Sequence, residues 1–378
     1  MRIAVLAETD QAEARVAATP ETVKKYIGMG AEVVVQRGAG AESGFSDEDY
    51  SAVGAKIAGN ARDAATGGDI LLRVRRPTGA EIAGAKPNAA VISILDPFGH
   101  EAAIADLAKA GVAAFAMEFM PRITRAQSMD VLSSQANLAG YRAVIEAAAE
   151  YGRALPMMMT AAGTVPAARI FVMGVGVAGL QAIATARRLG AIVTATDVRP
   201  ATKEQVESLG GKFIAVENEE FKQAETSGGY AKEMSKEYQA AQAELVSGHI
   251  AKQDIVITTA LIPGRPAPKL VSAAQAQSMR AGSVVYDLAA ERGGNCELTK
   301  PGEIVNVGGV KIVGAVNIAG RLPATASSLY AKNLLAFVET LVSKDTKELA
   351  INWDDELVKA TCLTRNGEVI DERFKSKR

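Results

Sequence analysis

Short apolar runs alternate along this chain with stretches in which apolar residues return every three or four positions. Runs cut off within eight residues by glycine, proline or polar clusters predict buried strands, and recurrence at 3.6 predicts helices. Arg2 to Ala7 is a strand, and Thr19-Pro20-Glu21 opens a helix that runs to about Met29, with Thr19 as N-cap and Gly30 as its stop. Glu32 to Gln36, Asp69 to Val74, Val91 to Leu95 and Val112 to Met117 are further strands. A helix near Asp47 to Gly54 and another over Glu101 to Ala110 lie among them. The second half repeats the alternation, with strands at Ile170 to Met173, Ala191 to Thr196, Lys212 to Val216, Asp254 to Thr258, Ser283 to Tyr286 and Lys311 to Val313. Its helices run from Leu180, near Thr202 to Leu209, and over Ser328 to Val342.

Such an order of strand and helix is the mark of α/β folding, and 378 residues exceed one typical domain. The expected architecture is two doubly wound, Rossmann-like α/β domains separated by a cleft. The first is built from residues 1–130 and 322–378, the second from 131–321, and the alanine-rich helix Ala143 to Tyr151 bridges them. Pro156 to Pro166 reads as a loop whose methionine run packs inside. Glu217 to Lys236 reads as a mobile polar loop, Ala260 to Pro266 as a turn-rich crossing, and the tail beyond Trp353 as frayed at its end.

The chain is organised around Gly174-Val-Gly176-Val177-Ala178-Gly179, where a β-rich run gives way to a helix. Gly174 permits the tight turn, Gly176 lets backbone approach a pyrophosphate, and Gly179 brings helix close to strand, so that the first helical N–H groups face a phosphate. Asp197 stands 18 residues past Gly179, at the end of the next apolar run, where a carboxylate can accept from an adenosine ribose hydroxyl and repel a 2′-phosphate. That favours NAD(H) over NADP(H). Arg199 complicates the choice, because turned inward it could pair with such a phosphate. Val198, Ala260 and Leu261 complete the expected cofactor contacts. A membrane span over Ile170 to Ala186 is rejected, since its glycines cluster mid-stretch and it is shorter than the ~20 residues a span needs.

Composition narrows the field by exclusion. With 42 basic and 43 acidic residues the chain has no polyelectrolyte character, so nucleic acid is not expected. Cys296 and Cys362 lie far apart, and the N-terminal apolar run is too short for a signal peptide, which places the protein on the cytosolic side. His100 and His249 form no cluster with cysteines, so no protein-held metal is expected and each reads as a surface or loop residue.

Between Met120 and Tyr141 the chain reads Met-Pro-Arg122-Ile-Thr-Arg-Ala-Gln127-Ser-Met-Asp130-Val-Leu-Ser133-Ser-Gln-Ala-Asn, richer in hydrogen-bonding groups than a core needs. With Gly163-Thr-Val-Pro166 and Asp197-Val-Arg199, this stretch closely resembles the NAD(H)-binding component of proton-translocating nicotinamide nucleotide transhydrogenase, nearly end to end. The resemblance implies that Arg122, Gln127, Asp130 and Ser133 hold the nicotinamide end of NAD(H). Arg122 and Ser133 would bond the carboxamide, Asp130 the ribose, and Gln127 would bridge towards a second nucleotide. A structural ion pair of Arg122 with Asp130 is the plain alternative. The resemblance further implies that Tyr230 and Met234 sit on a loop that closes over the nucleotide.

Function follows from the same resemblance: direct hydride transfer between NADH and NADP+ held on a separate NADP(H)-binding component, of the proton-translocating rather than the Si-specific type. A membrane-spanning, proton-translocating component would complete the enzyme, with this chain a homodimer, peripheral at the cytoplasmic face of the inner membrane and soluble when isolated. The related alanine dehydrogenases are the runner-up. They use lysine, histidine and aspartate for proton transfer, whereas the matching positions here read Arg73, Asp96 and Glu291, and Arg15 alone suits that chemistry. The first domain's substrate pocket is therefore expected to be vacant, with its charges structural. A third reading is a non-catalytic NAD(H)-sensing module, which would need no nicotinamide-positioning loop.

Overall fold

The structure, a computed structural model, describes residues 1–223, 234–262 and 264–375. It divides into two compact units, Met1–Gln135 with Ala319–Arg378, and Ala136–Ile318. The sequence places the divisions near 130 and 322; in the structure they fall at 135/136 and 318/319. The first division lies inside one continuous helix, Val131–Tyr151, so no break in helical periodicity marks it.

The first unit carries a six-stranded parallel sheet of β1 (Arg2–Val5), β2 (Glu32–Gln36), β3 (Lys56–Ala58), β4 (Ile70–Arg75), β5 (Ala90–Ile94) and β6 (Ala113–Ala116), in the order β3-β2-β1-β4-β5-β6. Side chains alternate across it as strand geometry requires. Ile3, Val5, Ile70 and Leu72 pack on one side with Tyr330, Leu334 and Phe337 of the helix Pro323–Leu341, while Ala4, Leu6 and Leu71 pack on the other with Ile104, Leu107 and Phe374. Pro323 at the first turn starts that helix five residues earlier than its apolar spacing suggests.

The tail beyond Trp353 is a structural element rather than a frayed end. Leu363 donates its N–H to Ala114 O at 2.8 Å, beside the edge strand β6, and Arg365 stacks over the Trp353 ring at 3.8 Å. Phe374 is buried against Phe98 and Phe119.

The second unit opens with an antiparallel hairpin, β7 (Met158–Thr160) and β8 (Gly163–Val165). The methionine run is not core: Met157, Met158 and Met159 are exposed, because pairing into a two-stranded hairpin gives each strand no third layer to cover it. A seven-stranded sheet follows from β9 (Arg169–Met173), β10 (Ile192–Thr196), β11 (Lys212–Phe213), β12 (Ile255–Thr258), β13 (Val284–Asp287), β14 (Ile304–Val307) and β15 (Val310–Gly314), ordered β11-β10-β9-β12-β13-β15-β14. Of these strands only β14 runs antiparallel, against β15. Ile170, Val172 and Ile257 pack with Ile183 and Ala186 of the helix Val177–Arg188, while Phe171 and Val256 face Val246 and Ile250.

The polar stretch after Val216 contains a short helix, Glu219–Lys222, capped by Asn218, before the helix Lys236–Ile250. Periodicity does not reveal the latter because its apolar residues are sparse. His249 lies in it, half-buried rather than on a loop, with Nε2 2.8 Å from Thr194 Oγ1 and its ring edge-on to Phe171. Burial and the neighbouring cations, Lys252 first, hold its pKa below the usual histidine value.

Candidate functional site

Both sheets reverse their winding between two central strands, β1 and β4 in the first and β9 and β12 in the second, and ligands of such sheets gather outside the carboxyl ends at that switch. The glycine turn stands at this position in the second unit. Gly174 has φ +101°, a conformation that side chains disfavour, and a Cβ there would lie 2.6 Å from Thr259 Oγ1. At Gly179 a Cβ would lie 1.9 Å from the Gly174 carbonyl oxygen, so the helix can approach its strand only with glycine there. Gly176 differs: a Cβ would meet nothing within 4 Å. Its open side, and the N–H groups of residues 177–179 that begin the helix without intrahelical acceptors, make a fit for the pyrophosphate of a dinucleotide.

Asp197 and the crossing after β12 are drawn to this turn. Val175 N–H donates to Asp197 Oδ2 at 2.7 Å, and Thr259 Oγ1–H donates to Gly174 O at 3.0 Å. Ala260 is held at both peptide groups by Asn295, whose Oδ1 accepts from its N–H at 3.0 Å and whose Nδ2 donates to its carbonyl at 2.9 Å. Val198 and Leu261 beside them are 65% and 55% exposed, apolar faces suited to an adenine ring. Asn295, fully buried in this role, has no motif around it to betray it in the sequence. Gly140 carries no local signal either: a Cβ there would lie 2.1 Å from Ala178 O, so the helix Val131–Tyr151 packs against the start of the glycine helix only through it.

Arg199 does turn inward, onto Asp197. Its Nε and backbone N–H reach Oδ1 at 2.9 and 3.0 Å, and its Nη2 reaches Oδ2 at 3.0 Å and Val175 O at 3.2 Å. A ribose hydroxyl could therefore bond Asp197 only by sharing or replacing a contact already made. Met234 is half-buried against the second unit's core, and Tyr230 lies outside the described residues.

Arg122, Gln127, Asp130 and Ser133 all belong to the first unit. Asp130 caps the helix Val131–Tyr151: its Oδ1 accepts from Ser133 N–H at 2.9 Å and its Oδ2 from the Ser133 hydroxyl at 2.6 Å. Asp130 is thus engaged by Ser133, while Arg122 and Gln127 are exposed. Among the described residues no ion pair joins Arg122 to Asp130. The loop is fixed from beneath by Asn333, which donates to Ser128 O at 2.7 Å and accepts from Ser134 Oγ at 2.7 Å, and by Arg125, which forks onto Asp355 at 2.7 and 2.8 Å. An asparagine facing inward from an apolar helix was the signal available for Asn333.

The switch of the first sheet holds charge instead of glycine. Arg15, 4% exposed, is gripped by Glu13 through Nε and Nη2, both at 2.6 Å, and donates to Gln135 at 2.9 Å; Arg75 joins the same carboxylate at 2.7 Å. Arg73 lies 2.6 Å from the Glu81 carboxylate and 3.4 Å from that of Glu8, which accepts the Val74 N–H at 2.7 Å. Burial pushes Glu8 up to about 7 against the pull of Arg73. Burial alone would raise Glu13 as well, but Arg15 and Arg75 outweigh it and hold it below the carboxylate range. The carboxylates were missed in the sequence, although arginines at 73 and 75 inside an apolar strand signal that acids must meet them. Asp96 takes φ +45° and gives its N–H to Glu118 at 2.5 Å, while Glu291, in the second unit, accepts from Asn317 N–H at 3.1 Å.

Two open clefts lie away from these groups, one of about 450 Å³ lined by Arg153, Arg169, Lys252 and Arg280, the other of about 650 Å³ beside Met29, Met129 and Lys347. Among the described residues no group of three His, Cys, Asp or Glu could hold a metal ion, and no helix is long and apolar enough to cross a membrane.

Two family models match: alanine dehydrogenase/PNT, N-terminal domain, over residues 4–139, and alanine dehydrogenase/PNT, C-terminal domain, over 143–372. The chain is 55% identical to the first of the pieces that make up the NAD(P) transhydrogenase subunit alpha of Rhodospirillum rubrum, over 98% of both chains. It resembles the crystal structure of transhydrogenase from Sinorhizobium meliloti with a TM-score of 0.89 at 60% identity, covering 98% of this chain and 100% of that one. It also shares the fold of an L-alanine dehydrogenase, with a TM-score of 0.82 at 24% identity over 99% and 98%.

Proposed function

We propose a function from one premise: the chain belongs to the alanine dehydrogenase/PNT family, and within it stands with the transhydrogenase alpha subunits. It is the NAD(H)-binding subunit of a proton-translocating NAD(P) transhydrogenase, which passes hydride between NADH and NADP+ held on a partner component. The observation that carries this choice over amino-acid oxidation is the pairing of Arg15 with Glu13 and of Arg73 with Glu8 and Glu81. A clamp for a substrate carboxylate needs a guanidinium with open donors, and these already face carboxylates of the protein itself. The same fact leaves amine chemistry without its binding group.

Each residue has a distinct role. The open side of Gly176 and the N–H groups of Val177, Ala178 and Gly179 bind the pyrophosphate, Asp197 the adenosine ribose, and Val198, Ala260 and Leu261 the adenine. Arg122, Gln127, Asp130 and Ser133 orient the nicotinamide end, with Arg122 and Gln127 exposed for contact beyond the chain. When bound, NADH supplies a hydride to the partner's nucleotide. No protein group gains or loses a proton at the reacting carbons, so the residues contribute orientation, worth roughly 7–11 kcal/mol of barrier in favourable cases. The subunit is active only with its NADP(H)-binding partner, forms a homodimer, and docks peripherally on a membrane-spanning component at the cytoplasmic face, which couples the exchange to proton movement.

Reconstitution tests the reading. The purified chain, mixed with a separately made NADP(H)-binding component, is expected to reduce acetyl-pyridine NAD+ with NADPH, and to be inactive without that component. Turnover of NADH with pyruvate and ammonia by the chain alone would reverse the assignment.

A further inference from the structure

Asp197 is usually enough, in principle, to explain rejection of a 2′-phosphate by charge repulsion. In this protein the carboxylate has a second occupation. It is nearly enclosed, its side chain 7% exposed, and it receives four N–H contacts, three of them from Arg199 and one from Val175. Four contacts fill the acceptor positions of a carboxylate. The Arg199 guanidinium is itself one-third exposed and tethered further to the Val175 carbonyl, so it lies at the rim of the turn and not in the core. Any group seated where a ribose hydroxyl would bond Asp197 sits about 3 Å from that carboxylate, and so beside the same guanidinium.

Resting on the reading that this turn binds the adenosine half of NAD(H), we infer that the Asp197–Arg199 pair, and not Asp197 alone, sets the choice between NAD(H) and NADP(H). Arg199 is a latent ligand for a 2′-phosphate, and Asp197 withholds it. An arginine is the residue best shaped to grip a phosphate, by a fork of parallel N–H donors. Here that fork is spent on Asp197: Nε and Nη2 each meet one carboxylate oxygen. Removing the carboxylate therefore does two things, ending repulsion and releasing a phosphate-binding group, and only the second depends on Arg199.

The dependence separates the two accounts. Binding of adenosine 5′-monophosphate and of adenosine 2′,5′-bisphosphate is measured by calorimetry on the full chain, and selectivity is the ratio of the two affinities. The wild type is expected to prefer the monophosphate. Asp197→Ala should shift the ratio towards the bisphosphate by roughly 10- to 100-fold, the worth of a charge-assisted bond pair, and adding Arg199→Ala should abolish the shift, with Arg199→Lys retaining a fraction of it. Asp197→Asn, which keeps an acceptor for Val175 N–H, guards against a turn that merely collapses and should shift the ratio the same way. Arg199→Ala alone should leave the monophosphate preferred. Equal shifts in Asp197→Ala and the double alanine variant would overturn the inference in favour of repulsion alone. A wild type that binds neither mononucleotide would instead overturn the dinucleotide reading itself.

Discussion

The two sheets share a strand order at their centres and differ in what stands at the point where the winding reverses. In the second unit it is a glycine turn, with unpaired helical N–H groups and an open face at Gly176. In the first it is Arg15, Arg73 and Arg75, closed onto Glu8, Glu13 and Glu81. One crevice presents donors to a ligand, and the other has satisfied its donors internally. The same topology can thus be a binding site or a structural core, and the side chains at the switch decide which.

The sharpest way to break the contrast is at the glycine turn. Gly179→Ala sets a Cβ against backbone that no side-chain rotation can relieve. It should cost roughly 5 kcal/mol, beyond the usual 1–3 of overpacking, and remove NADH binding, read by thermal melting and titration. In the first unit, Glu13→Ala would strand Arg15 in a buried site, at about 3–5 kcal/mol by denaturant unfolding. Hydride transfer with the partner should keep its kcat wherever the variant is folded; selective loss of kcat would make that crevice functional.

Glu8 gives a smaller, pH-dependent effect. Its folded pKa, about 7, exceeds the ordinary 4.5, so the folded state holds the proton more tightly. The resulting stabilisation is complete below pH 4.5 and disappears as pH rises through about 7, amounting to about 3 kcal/mol. Glu13 and Glu81 are shifted downward, so their contributions change only below this window. Melting of Glu8→Gln against pH should lack the slope between 4.5 and 7 that the wild type shows; identical slopes would refute the assignment. Smallest is Asn333→Ala, which releases the Gln127 to Ser133 loop at two hydrogen bonds. It should lower kcat with the partner about tenfold, or about 1.4 kcal/mol, with NADH affinity nearly intact.

Local signals in the sequence reach far in the second unit. Gly174, Gly176, Gly179 and Asp197 announce a strand, turn and helix because their spacing and backbone needs are set within a few residues, and that is the arrangement found. What stayed hidden depends on partners distant in the chain. Glu8 meets Arg73 across 65 positions, Asn333 meets Ser128 across 205, and Asn295 reaches Ala260 only once β12 and β13 are paired. Met158 and Met159 misled for the opposite reason: apolar composition says core, but a hairpin outside the main sheet leaves them uncovered. Asp130 shows a further limit, since one carboxylate serves both as a helix cap and as a candidate ribose ligand, and its local pattern cannot separate the two.

The central claim is that catalysis here is orientation, with the buried acids and arginines of the first unit taking no share in proton transfer. It is tested most directly by running the reconstituted reaction from NADH to NADP+ in D2O and examining C4 of the NADPH formed by NMR. Direct transfer between nicotinamide rings predicts no solvent deuterium at C4. Deuterium at that carbon would contradict the account.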